Sequence, residues 1–209
     1  LLIPLLLIVG WLLFGKGCNK DAPVVAGDSV VVDTNTTVVP VDTLNITSGQ
    51  PSRESVVLKL PNGQDINAYT GGIEDNLIAF LQAGDYKTFT DEQLKEKWFD
   101  FDNLNFETGT ATVLPESKSQ LINLAAILKV FPDAKVKIGG YTDRTGNEEL
   151  NKQLSLDRAN AVKNFLAEQG LGAQVVETEG YGSQFAKAEA TAPEDQRVLD
   201  RRVSVSVRK

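Results

Sequence analysis

Asp143 and Arg158 are the residues of this 209-residue chain whose types and spacing suggest a receptor. Asp143 lies in Gly140-Tyr141-Thr142-Asp143-Arg144-Thr145-Gly146, which reads as the end of a strand followed by a tight turn. Ahead of it, Gly139-Gly140 carries no side chains, so another backbone can approach closely there. Arg158 follows fifteen residues later in Leu154-Ser155-Leu156-Asp157-Arg158-Ala159, which reads as an amphipathic helix. A turn and a helix that folds back bring both charges into one cleft. A guanidinium takes a carboxylate through two parallel hydrogen bonds, and a carboxylate accepts from an ammonium. Left unpaired with each other, the two would receive a zwitterion. A plainer reading stands beside this one: Asp143 bonds its own turn backbone, and Arg158 is a solvated helix charge.

Four ordered motifs bear on the choice. They are T-D-x-x-G at Thr142 to Gly146, N-x-x-L-S-x-x-R-A-x-x-V from Asn151 to Val162, G-Y-G at Gly180 to Gly182, and R-R-V at Arg201 to Val203. Together they resemble the OmpA-like C-terminal domain, and the resemblance runs from about Trp98 to the end of the chain. It implies non-covalent binding of peptidoglycan in a bacterial envelope, with no catalysis, no cofactor and no metal. The implied ligand is the diaminopimelate end of the peptide stem, which carries an ammonium and a carboxylate. By resemblance the ligand-binding residues fall on Asp143, Arg158, Thr145, Asn151 and Arg201, with Leu154 and Val198 lining the wall. The chain departs from the pattern at Gly109, where relatives often place asparagine, so a contact there would be through backbone. It departs again at Asp200, which stands where asparagine usually precedes the two arginines and is expected to pair with one of them.

Composition narrows the alternatives. The formal net charge of −7 argues against a nucleic-acid partner. Histidine is absent, which excludes a histidine triad, a histidine metal site and a histidine proton shuttle. Cys18 is the only cysteine, so neither an intrachain disulfide nor a cysteine zinc site is available.

Leu1 to Phe14 is an apolar run broken only by Pro4 and Gly10. Fourteen helical residues span about 21 Å, short of a hydrocarbon core of about 30 Å. Leu1 in place of methionine predicts further residues upstream. Residues 1–18 are therefore expected to be a hydrophobic membrane anchor or signal segment. Gly17 suits cleavage and lipidation at Cys18, but Lys16 occupies a slot that normally takes a small neutral residue. An uncleaved anchor is favoured over a lipid anchor and a plain secretion signal. Each would place the remainder, residues 19–209, outside the cytoplasm, in the periplasm by resemblance, with inner and outer membrane both open. Residues 19–55, rich in Val, Thr, Asp and Pro, read as an extended linker.

Residues 56–97 read as an extension made of a β-hairpin and helix. Asn62-Gly63 turns Val56–Leu60 back into Asp65–Tyr69. Ile73, Leu77, Ile78 and Leu81 share a helical face that Gly84 ends, and Thr90 with Gln93 resembles a capping box. The extension is expected either to pack on the main domain or to offer a docking surface to a protein partner. Residues 98–209 read as α+β. A first strand is predicted over Trp98–Phe106, and a helix over Pro115–Phe131 with Leu121, Leu124, Leu128 and Phe131 inside. A strand follows over Lys135–Tyr141. A helix over Glu148–Gln169 has Leu150, Leu154, Ala161, Phe165 and Leu166 inside. The last strands are Val175–Gly180 and the alternating Val203, Val205 and Val207, with a short helix near Pro193–Leu199. Two long helices on a small four-stranded mixed sheet follow.

The favoured function is a non-catalytic tether between a membrane and the cell wall. A stator-like subunit of an ion-driven motor would need an ionisable group within the membrane, and Leu1 to Phe14 has none. A wall-active hydrolase would need paired acids such as Asp100 and Asp102. In a Phe-Asp-Phe-Asp strand those two point to the same face, which is more often a solvated one.

Overall fold

A computed structural model describes residues 54–209. The apolar run, Cys18 and nearly all of the linker lie outside the described residues. Among the described residues, no helix is long and apolar enough to cross a membrane.

Strands β1 (Ser55–Lys59) and β2 (Asp65–Tyr69) pair antiparallel around the predicted Asn62-Gly63 turn. Helix α1 (Ile73–Ala83) follows, then α2 (Asp91–Lys95), where Thr90 and Gln93 close both halves of the capping box. After strand β3 (Phe99–Asp100) come helix α3 (Lys118–Val130), strand β4 (Lys135–Gly140) and the long helix α4 (Glu148–Glu168). Strand β5 (Val175–Gly180), the short helix α5 (Glu194–Arg197) and strand β6 (Val203–Arg208) complete the order. The larger sheet runs β3-β6-β4-β5, with β4 and β5 parallel and the other pairs antiparallel. The described region is thus α+β with a mixed four-stranded sheet.

Alternation in β4 and β6 turns Val136, Ile138, Val203, Val205 and Val207 into one core with Leu121, Leu124 and Leu128 of α3 and Val162 and Leu166 of α4. The extension contributes to the same core through Leu60, Ile66, Ile73, Leu77 and Leu81. Polar groups stitch the two parts together. Asp102 Oδ2 accepts from the Ile73 amide at 2.6 Å, and buried Glu74 accepts from Asn123 at 2.9 Å and Gln120 at 3.3 Å. Ser206 donates to the carbonyls of Leu94 and Lys97. The extension therefore packs on the main domain.

Three expectations need correction. The first strand is two residues long rather than reaching Phe106. Beyond Phe101, its amides are taken by side chains of the α3 region: Gln120 accepts from Asn103 and Ser117 from Asn105. Phe106 returns only as an isolated bridge to Val113. Asp100 and Asp102 accordingly do not form one solvated row. Asp100 accepts from Ser204 at 2.5 Å, while Asp102 caps α1. Leu150 is 69% exposed rather than inside. The face that α4 buries is Ser155, Ala159, Val162 and Leu166. Small residues are required there because α4 lies directly on strand backbone. A Cβ on Gly140 would stand 2.0 Å from the Ser155 carbonyl oxygen, and one on Gly180 would stand 2.4 Å from that of Lys152. Substitution at either glycine would push the helix off the sheet.

Candidate functional site

The loop between β4 and α4 carries Asp143 and is pinned from three sides. The Thr142 amide donates to the Gly182 carbonyl, and the Gly182 amide donates to Ser155 Oγ. Asn147 caps α4 by accepting from the Leu150 amide. Asn151, one turn into that helix, donates to the Thr145 carbonyl at 2.8 Å. Asn151 thus holds the loop in place, and its amide nitrogen has no freer role in this geometry.

Asp143 is 4% exposed, and four donors serve its carboxylate. Oδ1 accepts from the Thr145 amide at 2.9 Å and the Thr145 hydroxyl at 2.5 Å. Oδ2 accepts from Arg201 Nη1 at 2.6 Å and Arg197 Nη1 at 3.2 Å. Burial raises the Asp143 pKa, but the Thr145 hydrogen bonds and the Arg201 guanidinium outweigh it and hold the group below the usual carboxylate range. Both arginines also reach Glu194. Arg197 Nη2 donates to one of its oxygens at 2.6 Å, and Arg201 Nη2 donates to the other. The four side chains close a ring of alternating charge.

Arg158 stands apart from that ring. Its Nε donates to the Thr110 carbonyl at 3.0 Å, and its guanidinium lies 5.1 Å from the centre of the Phe106 ring. That carbonyl belongs to the loop that holds Gly109. Among the described residues no carboxylate pairs with Arg158, and Nε alone donates a hydrogen bond. Burial lowers its pKa, and the Arg201 charge lowers it further against the pull of Asp143. A half-buried guanidinium with both Nη groups unengaged, beside a second cation, has the chemistry to accept an anion.

The structure thus gathers Asp143, Thr145, Asn151 and Arg201 into one hydrogen-bonded cluster. Arg158 is electrostatically coupled to that cluster but not bonded to it. An internal salt bridge between Asp143 and Arg158 is absent. Leu154, one helical turn before Arg158, and Val198, next to Arg197, are half-buried. Asp200 does not pair with an arginine. It is 2% exposed and accepts from the Lys187 and Ala188 amides, each at 2.9 Å, because it lies beneath that loop. Sequence reasoning missed Arg197 and Glu194. Their signal was present: Glu194 to Arg197 is an i,i+3 pair, and Arg197 to Arg201 is one turn.

A concavity of about 610 Å³ lies elsewhere on the sheet, lined by Trp98, Tyr141, Tyr181, Phe185 and neighbouring charges. Its rings pack on one another, with Tyr141 and Tyr181 stacked at 5.0 Å and Trp98 edge-on to both. None of the predicted site residues lines it. Arg158, with neither Nη group engaged, lies outside this lining.

Known proteins resemble the C-terminal half of this chain. The OmpA family matches residues 105–199. Over 105 residues the chain is 34% identical to the probable lipoprotein YiaD of Escherichia coli, covering 50% of this chain and 48% of that one. Over 102 residues it is 38% identical to the peptidoglycan-binding protein ArfA of Mycobacterium tuberculosis, covering 49% and 31%. A solved structure, the peptidoglycan-associated lipoprotein from Burkholderia pseudomallei, is similar at 26% identity with a TM-score of 0.43, covering 55% of this chain and 92% of that one. The chain spans about half or less of the length of these curated relatives. Residues 105–199 of this chain are an OmpA family domain.

Proposed function

We propose that this chain is a non-catalytic envelope tether that binds peptidoglycan through the zwitterionic end of a diaminopimelate-bearing stem. Arg158 takes the ligand carboxylate and Asp143 the ammonium. Thr145 and Asn151 hold the turn, Arg201 braces Asp143, and Leu154 and Val198 line the wall. The observation that carries this reading is Arg158: held at Nε by the Thr110 carbonyl and stacked on Phe106, it presents an unpaired fork beside a carboxylate. Even a half-buried cation without a counter-charge carries a desolvation cost, and a ligand carboxylate offsets it. The relative named a peptidoglycan-binding protein supports the same ligand class. Residues 1–18 would supply the membrane end and residues 19–55 the reach across the periplasm.

The test is sedimentation of the purified protein with cell-wall sacculi, competed by free diaminopimelate, with the fragment retained after digestion identified by mass. Co-sedimentation that free diaminopimelate displaces is the expected result. Failure to sediment, or displacement by sugars and not by diaminopimelate, would overturn it. For the membrane end, Cys18→Ala is expected to stay in the membrane fraction. Its release, or a lipid-sized mass on Cys18, would transfer the anchoring role to lipidation.

A further inference from the structure

Counting acceptor sites exposes a difficulty in the site as it stands. A carboxylate offers about four lone-pair sites, and all of those on Asp143 are taken. A ligand ammonium reaches Asp143 only if a donor leaves. The Thr145 donors belong to the turn itself, and Arg201 is held at 2.6 Å. Arg197 makes the longest of these contacts, at 3.2 Å, and it has two other holds. Its Nε donates to the Ala192 carbonyl at 3.0 Å, and its Nη2 donates to Glu194 at 2.6 Å. Glu194 is exposed and accepts one arginine hydrogen bond on each oxygen, so it has acceptor capacity to spare.

From this geometry we infer that Arg197 is a displaceable plug on the ammonium pocket and that Glu194 is the carboxylate that keeps it when it is displaced. The inference rests on the site reading above and adds two residues to it. On binding, Arg197 Nη1 leaves Asp143 Oδ2, the ammonium takes its place, and the Arg197 charge stays neutralised by Glu194. No bond is made or broken beyond this exchange of hydrogen bonds. The plug also sets a specificity. A ligand with a carboxylate and no ammonium gains nothing from displacing Arg197, so only a ligand that carries an ammonium opens the pocket.

The experiment is calorimetric titration of free meso-diaminopimelate into the wild type, Arg197→Ala, Arg197→Gln, Glu194→Gln and the Arg197→Ala/Glu194→Gln double variant, with a thermal melt of each. Wild-type binding, and its loss in Arg158→Ala, must be seen first; their absence is the failure of the site reading and not of the plug. Removing the plug is expected to tighten binding by a factor of about ten, the worth of one modest charge-assisted hydrogen bond. Glu194→Gln is expected to weaken binding several-fold, because Arg197 then has only Asp143 as a charged partner. Its effect should shrink on the Arg197→Ala background. A structural brace would give the opposite sign, with weaker binding and a lower melt together. Folded Arg197→Ala and Arg197→Gln variants that bind no more tightly than wild type overturn the inference. Should neither variant fold, unchanged or tighter binding by Glu194→Gln overturns it.

Discussion

Guanidinium and ammonium groups sit on the aromatic face of the sheet and at its loop ends, and their surroundings differ. On the aromatic face Lys137 and Arg202 have carboxylate counterparts, while Arg208 has none and instead spends Nη1 on carbonyls. Lys137 lies between Glu177 at 2.8 Å and Glu179 at 2.5 Å, and Arg202 stacks 4.3 Å over Tyr141 within 3.5 Å of Asp100. Arg208 bonds the Leu94 and Val207 carbonyls. At the loop ends, Arg197 and Arg201 are paired just as fully, yet Arg158 is held in place with no counter-charge. Paired charges cover backbone and fix packing. A guanidinium with neither Nη group engaged, such as Arg158, has something left to bind.

That contrast can be broken from the paired side first. Asp143→Ala strips Arg197 and Arg201 of a buried partner, a change expected to cost about 3–5 kcal/mol of stability. The burial of Asp143 makes this variant a stability variant as well as a binding variant. The effect has a pH signature. Because the folded-state pKa of Asp143 is depressed, its stabilisation is present above the ordinary aspartate value of about 3.9 and is lost as pH falls through the lower folded value. The melting gap between wild type and Asp143→Asn should therefore close in acid. A gap that stays constant from neutral pH into strong acid would show that the charge is not what stabilises.

Next in size is the extension. Leu77 is fully buried in the shared core, and Leu77→Ala is expected to cost about 2–5 kcal/mol in a single cooperative transition. A melt that splits in two, with the later transition unmoved, would make residues 56–97 a separate module. The smallest effect belongs to the aromatic face. Lys137→Met leaves two largely exposed carboxylates that water can serve, so about 1 kcal/mol or less is expected, with sacculus binding unchanged. Lost binding in a folded Lys137→Met variant would move the site to that face.

The sequence made some of this legible and hid the rest for identifiable reasons. Val175–Gly180, the capping box at Thr90 and the two long helices carry strong local signals, and the structure places them where those signals lie. Leu150 was misplaced because helical periodicity looks for large apolar residues. The face that α4 buries is built from Ser155 and Ala159, which let the helix touch Gly140 and Gly180. The first strand was read too long because nothing local reveals that Gln120 and Ser117, more than ten residues away, take its amides. At the site, motif spacing identified Asp143 and Arg158 but not their partners. Pairing of Asp143 with Arg197 and Arg201 spans more than fifty residues and depends on the tertiary fold.

The central claim is that Arg158 is kept unpaired to receive a carboxylate, and one measurement tests it most directly. Wild type, Arg158→Ala and Arg158→Lys are sedimented with purified sacculi, and each is melted in parallel. The account predicts wild-type-like melts for both variants, since Arg158 bonds only one carbonyl. It predicts a binding loss of about 2–5 kcal/mol for alanine, with no rescue by lysine, whose point charge cannot reproduce the fork. Wild-type sedimentation of folded Arg158→Ala would contradict it.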